Sequence, residues 1–455
     1  MIAVTSVVDR LRNWKPDIRR PIPGPGESLP PGPRAPLAYQ SVRVWGSRNT
    51  YFPALQRRYG DTFLIRTAPL GEVVVLCDPA DVRRVALGGP DLFPVAENNA
   101  LFVPLLGART VLALDGEPHR RERRRMTPPL HGERVARAVS IMERLASDEV
   151  ASWPVGRTFK LVEGMRRLTL RVIVKVVLGV DDPARAERLI KALHRVIDVK
   201  VLDMLMWTWP RLADHGPWRR AVEALEHADT LLYEEIARRR ADPDRDARPD
   251  VLAMLLDGEP DDDLVRVELL TLLTGGYETT AVASAWMFER VLRHPAVLAR
   301  LRDGLDDDKD DYRTAVIKET LRLRPVSYNV GRKTTRPTDL GGHRIPAGTF
   351  VWPSLAALHT DPETWGPNPH TFDPERWFDP AVPTKAFLPF GGGVHRCLGA
   401  VLAQVEMDVI LRTVLRQVDI HPTHPRDEPQ TMRNIVLVPK HGTKARVTRR
   451  RTSAR

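Results

Sequence analysis

The stretch FGGGVHRCLG, residues Phe390 to Gly399, holds one of only two cysteines in a chain of 455 residues. Three consecutive glycines precede Cys397, and the amphipathic run CLGAVLAQVEMDVILRTVLRQV begins at it. A cysteine just before a helix meets free backbone N–H groups and the positive end of the helix dipole, and both favour thiolate over thiol. Glycines allow the backbone to approach a large flat group. The stretch therefore indicates either a sulfur-ligated metal, with an iron porphyrin as the flat candidate, or a buried structural cysteine.

Composition limits the class of protein. Hydrophobic residues are 42% and charged residues 28% of the chain, which is typical of a soluble globular protein with a large core. Cys77 and Cys397 make no disulfide framework, so a reducing, cytoplasmic setting is expected. No stretch reaches the roughly 18 apolar residues of a membrane span, so no transmembrane anchor is expected. The net charge of +11 is compatible with nucleic acid, but no zinc-finger or RNA-recognition motif accompanies it, and we expect no nucleic-acid partner.

The chain divides into three parts by composition. Residues 1–36 form a proline-rich leader, residues 37–440 a single catalytic domain, and residues 441–455 a basic C-terminal tail. Within the domain, DTFLIRTAPLGEVVVLCDP predicts two strands around a Pro-Leu-Gly turn. The run from Asp261 to His294 predicts one helix of about 30 residues, about 45 Å long. The pattern is mainly α with a smaller β-rich part.

Three further motifs are weak when each is taken alone. In TGGYETT, Thr274 to Thr280, two glycines loosen a helix beside an acid and a hydroxyl that can hold water and pass protons; the alternative is close helix packing with an exposed Glu278. In KETLRLRP, Glu319 and Arg322 can pair on one helix face, or form an ordinary surface ion pair. In DGEPHRRERRR, His119 and Arg123 can grip one anion, or the arginines are simply solvated.

The order of these motifs, followed by FDPERW and F-G-G-G-x-x-x-C-x-G, resembles the cytochrome P-450 family over about residues 30 to 440. The resemblance implies the cytochrome P-450 fold, with haem b (iron protoporphyrin IX) between the long central helix and the cysteine helix. It implies that Cys397 is the metal ligand on the iron, with Phe390 packed near the sulfur. Gly393 and Gly399 would permit the loop, and Gly276 is a further cofactor-binding position.

The resemblance also implies how the haem propionates are held. His119 and Arg123 match a pair over the haem edge, Arg332 matches the arginine that follows the E-x-x-R helix, and His395 matches a propionate contact. A cationic cluster around two carboxylates is physically expected. Part of the net charge of +11 would then be neutralised by the propionates inside the protein.

Two groups of residues have different implied roles. Thr279 and Glu278 resemble the catalytic acid–alcohol pair, in which Thr279 would hydrogen-bond dioxygen or its water and Glu278 would help to relay protons. Glu319, Arg322 and Arg376 resemble the structural Glu-Arg-Arg network, whose loss is expected to prevent haem retention. Tyr277 and Leu130 depart from the usual histidine and aromatic residue at their positions.

The implied function is a haem-thiolate monooxygenase that inserts one atom of O2 into a lipophilic small molecule by hydroxylation or epoxidation, in a setting of secondary metabolism. Electrons are expected from a ferredoxin or flavodoxin with its reductase, steered to the basic face at Arg120–Arg125. The absent spanning helix before PPGPR suggests the soluble bacterial type. An oxidative coupling enzyme, a peroxygenase and a haem carrier or gas sensor remain alternatives. Apolar residues in two variable segments would line the substrate site: Phe93, Phe102, Met204, Met206, Trp207 and Trp209.

Overall fold

The computed structural model describes residues 21–197, 210–259, 261–305, 311–433 and 435–451. Helices predominate in this part of the chain. They are α1 (Leu37–Tyr59), α2 (Pro79–Leu87), α3 (Ala96–Asn99), α4 (Val103–Leu106), α5 (Gly116–Met126), α6 (Glu133–Ala151), α7 (Leu161–Ile173), α8 (Pro183–Ile197), α9 (Gly216–Arg240), α10 (Val251–Leu255), α11 (Asp262–Arg293), α12 (Pro295–Asp303), α13 (Asp311–Leu323), α14 (Leu355–His359), α15 (Pro362–Trp365) and α16 (Ala400–Gln417).

The strands are short and form small sheets. They are β1 (Thr62–Thr67), β2 (Gly71–Leu76), β3 (Thr158–Lys160), β4 (Arg332–Lys333), β5 (Thr338–Leu340), β6 (His343–Ile345), β7 (Phe350–Pro353), β8 (Val418–Pro422), β9 (Gln430–Arg433), β10 (Val436–Pro439) and β11 (Lys444–Arg450). The largest sheet has the order β1-β2-β7-β4, in which β2 pairs with β7 in parallel and the other pairs are antiparallel. The expected mainly α fold with a smaller β-rich lobe is confirmed.

Helix α11 is the axis of the helical part. Its first turn is capped by Asp261, whose side chain accepts hydrogen bonds from the backbone N–H groups of Asp263 and Leu264, and Pro295 follows its end. These local signals explain why the sequence predicts both ends closely. The helix packs against α7 and α16. It lies so close to α7 at Gly276 that a Cβ atom there would be 2.6 Å from the Ile173 Cδ1 atom. The helix runs through Gly275 and Gly276 without interruption, so the predicted loosened turn is not seen.

Both proposed flanks of the domain are attached to it in the described residues. The proline-rich segment docks on the β lobe, because Pro31 accepts a hydrogen bond from the Leu64 N–H and the Ser28 N–H donates to Arg344. Strand β11 pairs with both β3 and β8. Assigning residues 441–455 to a basic tail therefore misplaced this strand. Its alternating arginines are the exposed face of a sheet whose Ala445 and Val447 are buried.

None of the described helices combines the length and the apolarity that a bilayer crossing requires.

Candidate active site

A cavity of about 440 Å³ lies between α11 and the loop that carries Cys397. Nine of the residues predicted from the sequence for the cofactor and catalysis line it: Gly276, Thr279, Phe390, Cys397, Gly399, His119, Arg123, Arg332 and His395. Two predicted residues, Glu278 and Gly393, do not line it. Residues 278 positions apart in the chain thus meet around one space, from His119 on α5 to Cys397 before α16, with Val95 and Asn98 at one wall.

The Cys397 loop is closed by its own backbone. The Cys397 N–H donates to the Phe390 carbonyl at 3.0 Å, and helix α16 begins three residues after the cysteine. Gly391 and Gly393 have φ angles of +68° and +64°, a region that disfavours side chains, which explains the glycines. A Cβ at Gly393 would lie 3.2 Å from the Leu87 carbonyl oxygen, so Gly393 seats the loop on α2 rather than facing the cavity.

The environment of the Cys397 sulfur has opposing effects. Burial raises the pKa of the thiol, while a hydrogen bond from the Gly399 N–H and the charges of Arg123 and Arg396 lower it. Because the pKa of Cys397 ends above its ordinary value, the start of helix α16 alone does not keep this residue as a thiolate. The sequence had led us to expect that it would. A bound metal cation is the additional influence that deprotonates such a thiol. The residue is nevertheless exposed, since it lines the cavity.

Two histidines and an aspartate form a cluster beside this loop. The His119 and His395 ring centroids are 4.0 Å apart, and His395 Nε2 lies 2.9 Å from Asp115 Oδ1. Burial, with the neighbouring His395 and Arg123, lowers the pKa of His119 to about 4. Burial also raises the pKa of Asp115, but its hydrogen bonds from His395 and from the Val95 and Ala96 N–H groups outweigh this and the pKa ends below its ordinary value. Asp115 is in the motif DGEPHRRERRR, but its contact to His395 joins residues 280 positions apart, for which the sequence has no local signal.

Two buried arginines on the cavity wall lack carboxylate partners. The described part of the chain has eight buried arginine side chains. Six form ion pairs: Arg239 with Asp250, Arg266 with Asp229, Arg290 with Glu289, Arg313 with Asp408, Arg322 with Glu319, and Arg412 with Asp408. The remaining two, Arg48 and Arg332, have no such pair within the described residues, and both line the cavity. Burying a charge without a partner costs folding free energy, so we expect an anion to bind at both positions.

Arg332 donates only to backbone carbonyls, at 2.9 Å to Gly331 and 3.0 Å to Ala86. Its Nε atom is buried without a hydrogen-bond partner. Burial lowers the pKa of Arg332 to about 10, which leaves it protonated at neutral pH. Arg123, on α5, likewise has no ion pair among the described residues, and burial lowers its pKa.

Helix α11 separates the predicted acid from the predicted alcohol. The Thr279 hydroxyl lines the cavity and donates to the Gly275 carbonyl at 2.5 Å, and a Cβ at Gly275 would meet open space. Glu278 instead accepts two hydrogen bonds from Arg166 on α7, at 2.6 and 2.8 Å. Successive helical residues are about 100° apart, so a residue adjacent to Thr279 faces another side of the helix. The structure does not bring Glu278 and Thr279 together in the cavity.

The Glu319 network lies outside the cavity, and the Glu319 and Arg322 side chains at its centre are fully buried. Arg322 donates to both Glu319 oxygens, at 2.7 and 2.9 Å, and also to the carbonyls of His359 and Pro369. Arg376 Nε lies 3.6 Å from Glu319 Oε1. The glutamate also accepts from the Asp373 N–H and the Trp377 indole. The network joins α13 to the segment that precedes the cysteine loop.

Glu406 is a residue that the sequence analysis missed. It lies on α16, lines the cavity, and is 2% exposed. One carboxyl oxygen has no hydrogen-bond partner. Burial alone raises the pKa of Glu406 to about 8, so it is protonated at neutral pH. The only local signal for a buried acid at this position is that Glu406 lies within a strongly apolar stretch, AVLAQVEMDVIL.

The donor set fits an iron porphyrin. A sulfur ligand at Cys397 suits iron, the unpaired Arg123 and Arg332 suit two propionates, and the open space at Gly275 admits a flat ring. The walls between are largely apolar, including Leu101, Phe102, Val111, Leu272, Ala283 and Leu355. Phe102 thus lines the cavity as expected, whereas Phe93 is in the core beside α2. Met204, Met206, Trp207 and Trp209 lie outside the described residues.

Comparisons with known proteins agree with the family resemblance that the sequence motifs indicated. The family model "Cytochrome P450" matches residues 29–446. "Putative cytochrome P450 135B1" from Mycobacterium tuberculosis is 39% identical over 431 residues, covering 92% of this chain and 91% of the relative. "Putative cytochrome P450 138" from the same organism is 36% identical over 434 residues, covering 93% and 97%.

Solved structures show the same fold at lower identity. The retinoic acid-bound cyanobacterial CYP120A1 structure matches with a TM-score of 0.81 at 20% identity, covering 93% of this chain and 100% of that chain. The heme domain of cytochrome P450DA matches with a TM-score of 0.78 at 21% identity, covering 94% and 98%.

Proposed function

This chain belongs to the cytochrome P450 family and is a haem-thiolate monooxygenase with haem b as its cofactor, and we propose that it hydroxylates or epoxidises a lipophilic small molecule with electrons from a separate redox protein. The observation that carries this proposal is the meeting of the Cys397 sulfur, the Thr279 hydroxyl and the unpaired Arg123 and Arg332 around one apolar-walled cavity. Apolar, concave sites suit lipophilic ligands.

Haem, when bound, supplies a thiolate-ligated iron at which O2 is activated. Cys397 would hold the iron, and the Gly399 N–H donates to the Cys397 sulfur. Arg123 and Arg332 would hold the propionates. His395 would help to hold them, and its Nε2 atom lies 2.9 Å from Asp115 Oδ1. The network at Glu319 keeps the segment before the cysteine loop in place.

Thr279 and Glu278 have different roles in proton transfer. The Thr279 hydroxyl is the group at the cavity surface, where it holds a proton or a water for the reaction. Glu278 is held by Arg166, so it contributes a proton only when that ion pair opens. An oxidative coupling enzyme or a peroxygenase is the alternative function, because neither requires this proton route.

The proposal is tested by reductase-supported turnover. The holoenzyme is supplied with a surrogate ferredoxin, its reductase, NADPH and O2, and NADPH consumption is compared with hydrogen peroxide release. Thr279→Ala is expected to raise the fraction of electrons lost as peroxide, because the cavity loses its proton-holding hydroxyl. Thr274→Ala is the matched control, since Thr274 makes the same type of bond, to Leu270 at 2.7 Å, outside the cavity lining. Turnover that needs added peroxide and not NADPH would favour the peroxygenase.

Electron delivery by an acidic ferredoxin or flavodoxin rests on the exposed side of α5. Arg120, Arg121 and Arg124 have side chains 55%, 69% and 66% exposed. Arg125 is instead held inward by Glu259 and Glu268. Charge reversal at Arg121 and Arg124 is expected to slow reductase-supported turnover most at low salt.

A reducing compartment, the cytoplasm, is the proposed location, since Cys77 and Cys397 are both free thiols.

A further inference from the structure

Arg48, the other buried arginine of the cavity without a carboxylate partner, has no role in the proposed chemistry. It lies on α1, directly after Ser47, where the helix has non-helical backbone angles. Arg48 is 4% exposed, and it lines the same cavity as Cys397 and Thr279. Nothing in the cysteine loop or in α5 contacts its guanidinium among the described hydrogen bonds and ion pairs. Its surroundings therefore have to be explained separately from the haem.

The hydrogen bonds of Arg48 are few and neutral. Nε donates to the Val44 carbonyl at 3.2 Å, and one Nη atom donates to the Asn329 Oδ1 atom at 2.6 Å. The other Nη atom is buried and has no hydrogen-bond partner. An amide oxygen is a weaker partner for a guanidinium than a carboxylate, which can accept two parallel hydrogen bonds.

The faces of the guanidinium are occupied by aromatic rings. Its central carbon lies 4.7 Å from the Trp352 ring centroid, 5.1 Å from that of Trp45 and 5.8 Å from that of Phe52. Two of these rings are themselves fixed, since the Trp352 indole donates to Asn98 at 2.8 Å and the Trp45 indole donates to Ala68 at 2.9 Å. Stacking takes up the faces and leaves hydrogen bonding to the edge. The side chain is thus held in one place.

No described group near Arg48 supplies a negative charge. Burial lowers the pKa of Arg48 to about 10, which is still well above neutral, so it stays charged. Burial raises the pKa of the neighbouring Tyr328 phenol above its usual range and that of Cys77 to about 12, so both stay neutral. The site is therefore a fixed, charged donor without an anion. Asn329, Trp45 and Trp352 line the cavity with it.

We propose that Arg48 and Asn329 bind the carboxylate of a lipophilic substrate, with the carboxylate displacing the Asn329 oxygen from the guanidinium and the apolar body extending toward Thr279. This inference rests on the proposed function and adds the substrate class to it: a hydrophobic carboxylic acid that is oxidised away from its carboxyl end. The Asn329 amide group then donates to the second carboxylate oxygen. Arg332 takes its anion from the cofactor, and Arg48 takes its anion from the substrate.

The test uses probes that bind whatever the shape of the natural substrate. These are ω-(imidazol-1-yl)alkanoic acids of graded chain length and their methyl esters, titrated into the holoenzyme. The imidazole coordinates haem iron and shifts the Soret band, so both members of each pair are observed. The wild type is expected to bind the acid at least about tenfold more tightly than the ester at the chain length that reaches Arg48.

The variants separate Arg48 from other causes. Arg48→Met is expected to abolish the preference for the acid and to leave ester binding unchanged. Asn329→Asp keeps Arg48 but gives it an internal carboxylate, and it is expected to abolish the preference as well, even where Arg48→Met fails to fold. Arg57→Met is the matched control, because Arg57 is an exposed arginine on the same helix, and it is expected to keep the preference.

Three results would overturn the inference. These are equal binding of acid and ester at every chain length, a preference for the acid that survives in Asn329→Asp, and loss of haem from an Arg48→Met variant that is folded by circular dichroism, which would make a propionate the anion. If the esters shift the Soret band normally and the acids bind no more tightly, the inference fails but the proposed function stands. Failure of every imidazole probe to shift a Soret band would defeat the proposed function, and the inference with it.

Discussion

Arg322 of the Glu319 network and Arg48 and Arg332 of the cavity wall are all buried, but they are differently paired. Arg322 has a carboxylate and three backbone carbonyls within hydrogen-bond distance, so its charge is neutralised inside the fold. Arg332 and Arg48 have backbone carbonyls and one amide. The difference shows which charges the chain satisfies by itself and which it leaves for a ligand. Pairing, more than burial, separates structural arginines from binding arginines in this molecule.

The largest effect is expected where the pairing is complete. Glu319→Ala would leave Arg322 buried without its carboxylate, which costs roughly 3–5 kcal/mol of folding free energy. Purified protein is expected to carry little haem and to melt at a lower temperature. The haem-to-protein absorbance ratio and a thermal melt measure both effects.

Glu117→Ala is the control for this variant. Glu117 also pairs with two arginines, Arg120 and Arg124, but its side chain is 64% exposed. We expect no detectable change in haem content or melting temperature, because exposed ion pairs contribute little. If the two variants behaved alike, buried pairing would not be what holds the cysteine-loop side together.

A pH-dependent effect is expected from Glu406, the buried acid without a partner. Its pKa is about 8 in the fold against an ordinary value of 4.5. Because the folded value is raised, the stabilisation from the bound proton is fully present below pH 4.5 and is lost as pH rises toward and through 8. Glu406→Gln cannot lose a proton, so its stability relative to the wild type is expected to increase between pH 5 and pH 8, by up to a few kcal/mol. Chemical denaturation of the holoenzyme at several pH values measures this difference, and a pH-independent difference would contradict it.

The smallest effect is expected at the unpaired Arg332. Arg332→Ala removes a buried charge that has no carboxylate in the fold, so stability of the haem-free protein is expected to stay the same or rise. Haem affinity is expected to fall by about tenfold, because one charge-assisted contact to a propionate is lost. Haem transfer to apomyoglobin measures the affinity, and Arg336→Ala, an exposed neighbour, is the control. Loss of stability without faster haem transfer would place Arg332 with the structural arginines.

Local signals account for the parts of the structure that the sequence predicts well. The capping Asp261 and the His294–Pro295 pair give the ends of α11, and the glycines before Cys397 give the tight loop. The different orientations of Glu278 and Thr279 could also be predicted, because adjacent residues of a helix point about 100° apart. Only the partner of Glu278, Arg166, 112 positions earlier, needed the structure.

The remaining features depend on distant contacts. Arg48 is one of many arginines in the sequence, and its burial arises from Trp352 and Asn329, about 280 to 300 positions away. Strand β11 was misread because its arginines dominate the composition, although KARVTRR alternates in the manner of a strand. The burial of Arg48 has no local pattern that would have revealed it, whereas the alternation of KARVTRR was present in the sequence.

The measurement that tests the central claim most directly is the absorption spectrum of the reduced holoenzyme under carbon monoxide. A strongly red-shifted Soret band is predicted for the wild type and for Cys77→Ala, whose cysteine is buried in the β lobe. Cys397→Ala is predicted to lose the band, since it removes the thiolate ligand. A haem-loaded wild type without the band, or a Cys397→Ala variant that keeps it, would contradict the assignment of Cys397 and the monooxygenase chemistry that depends on it.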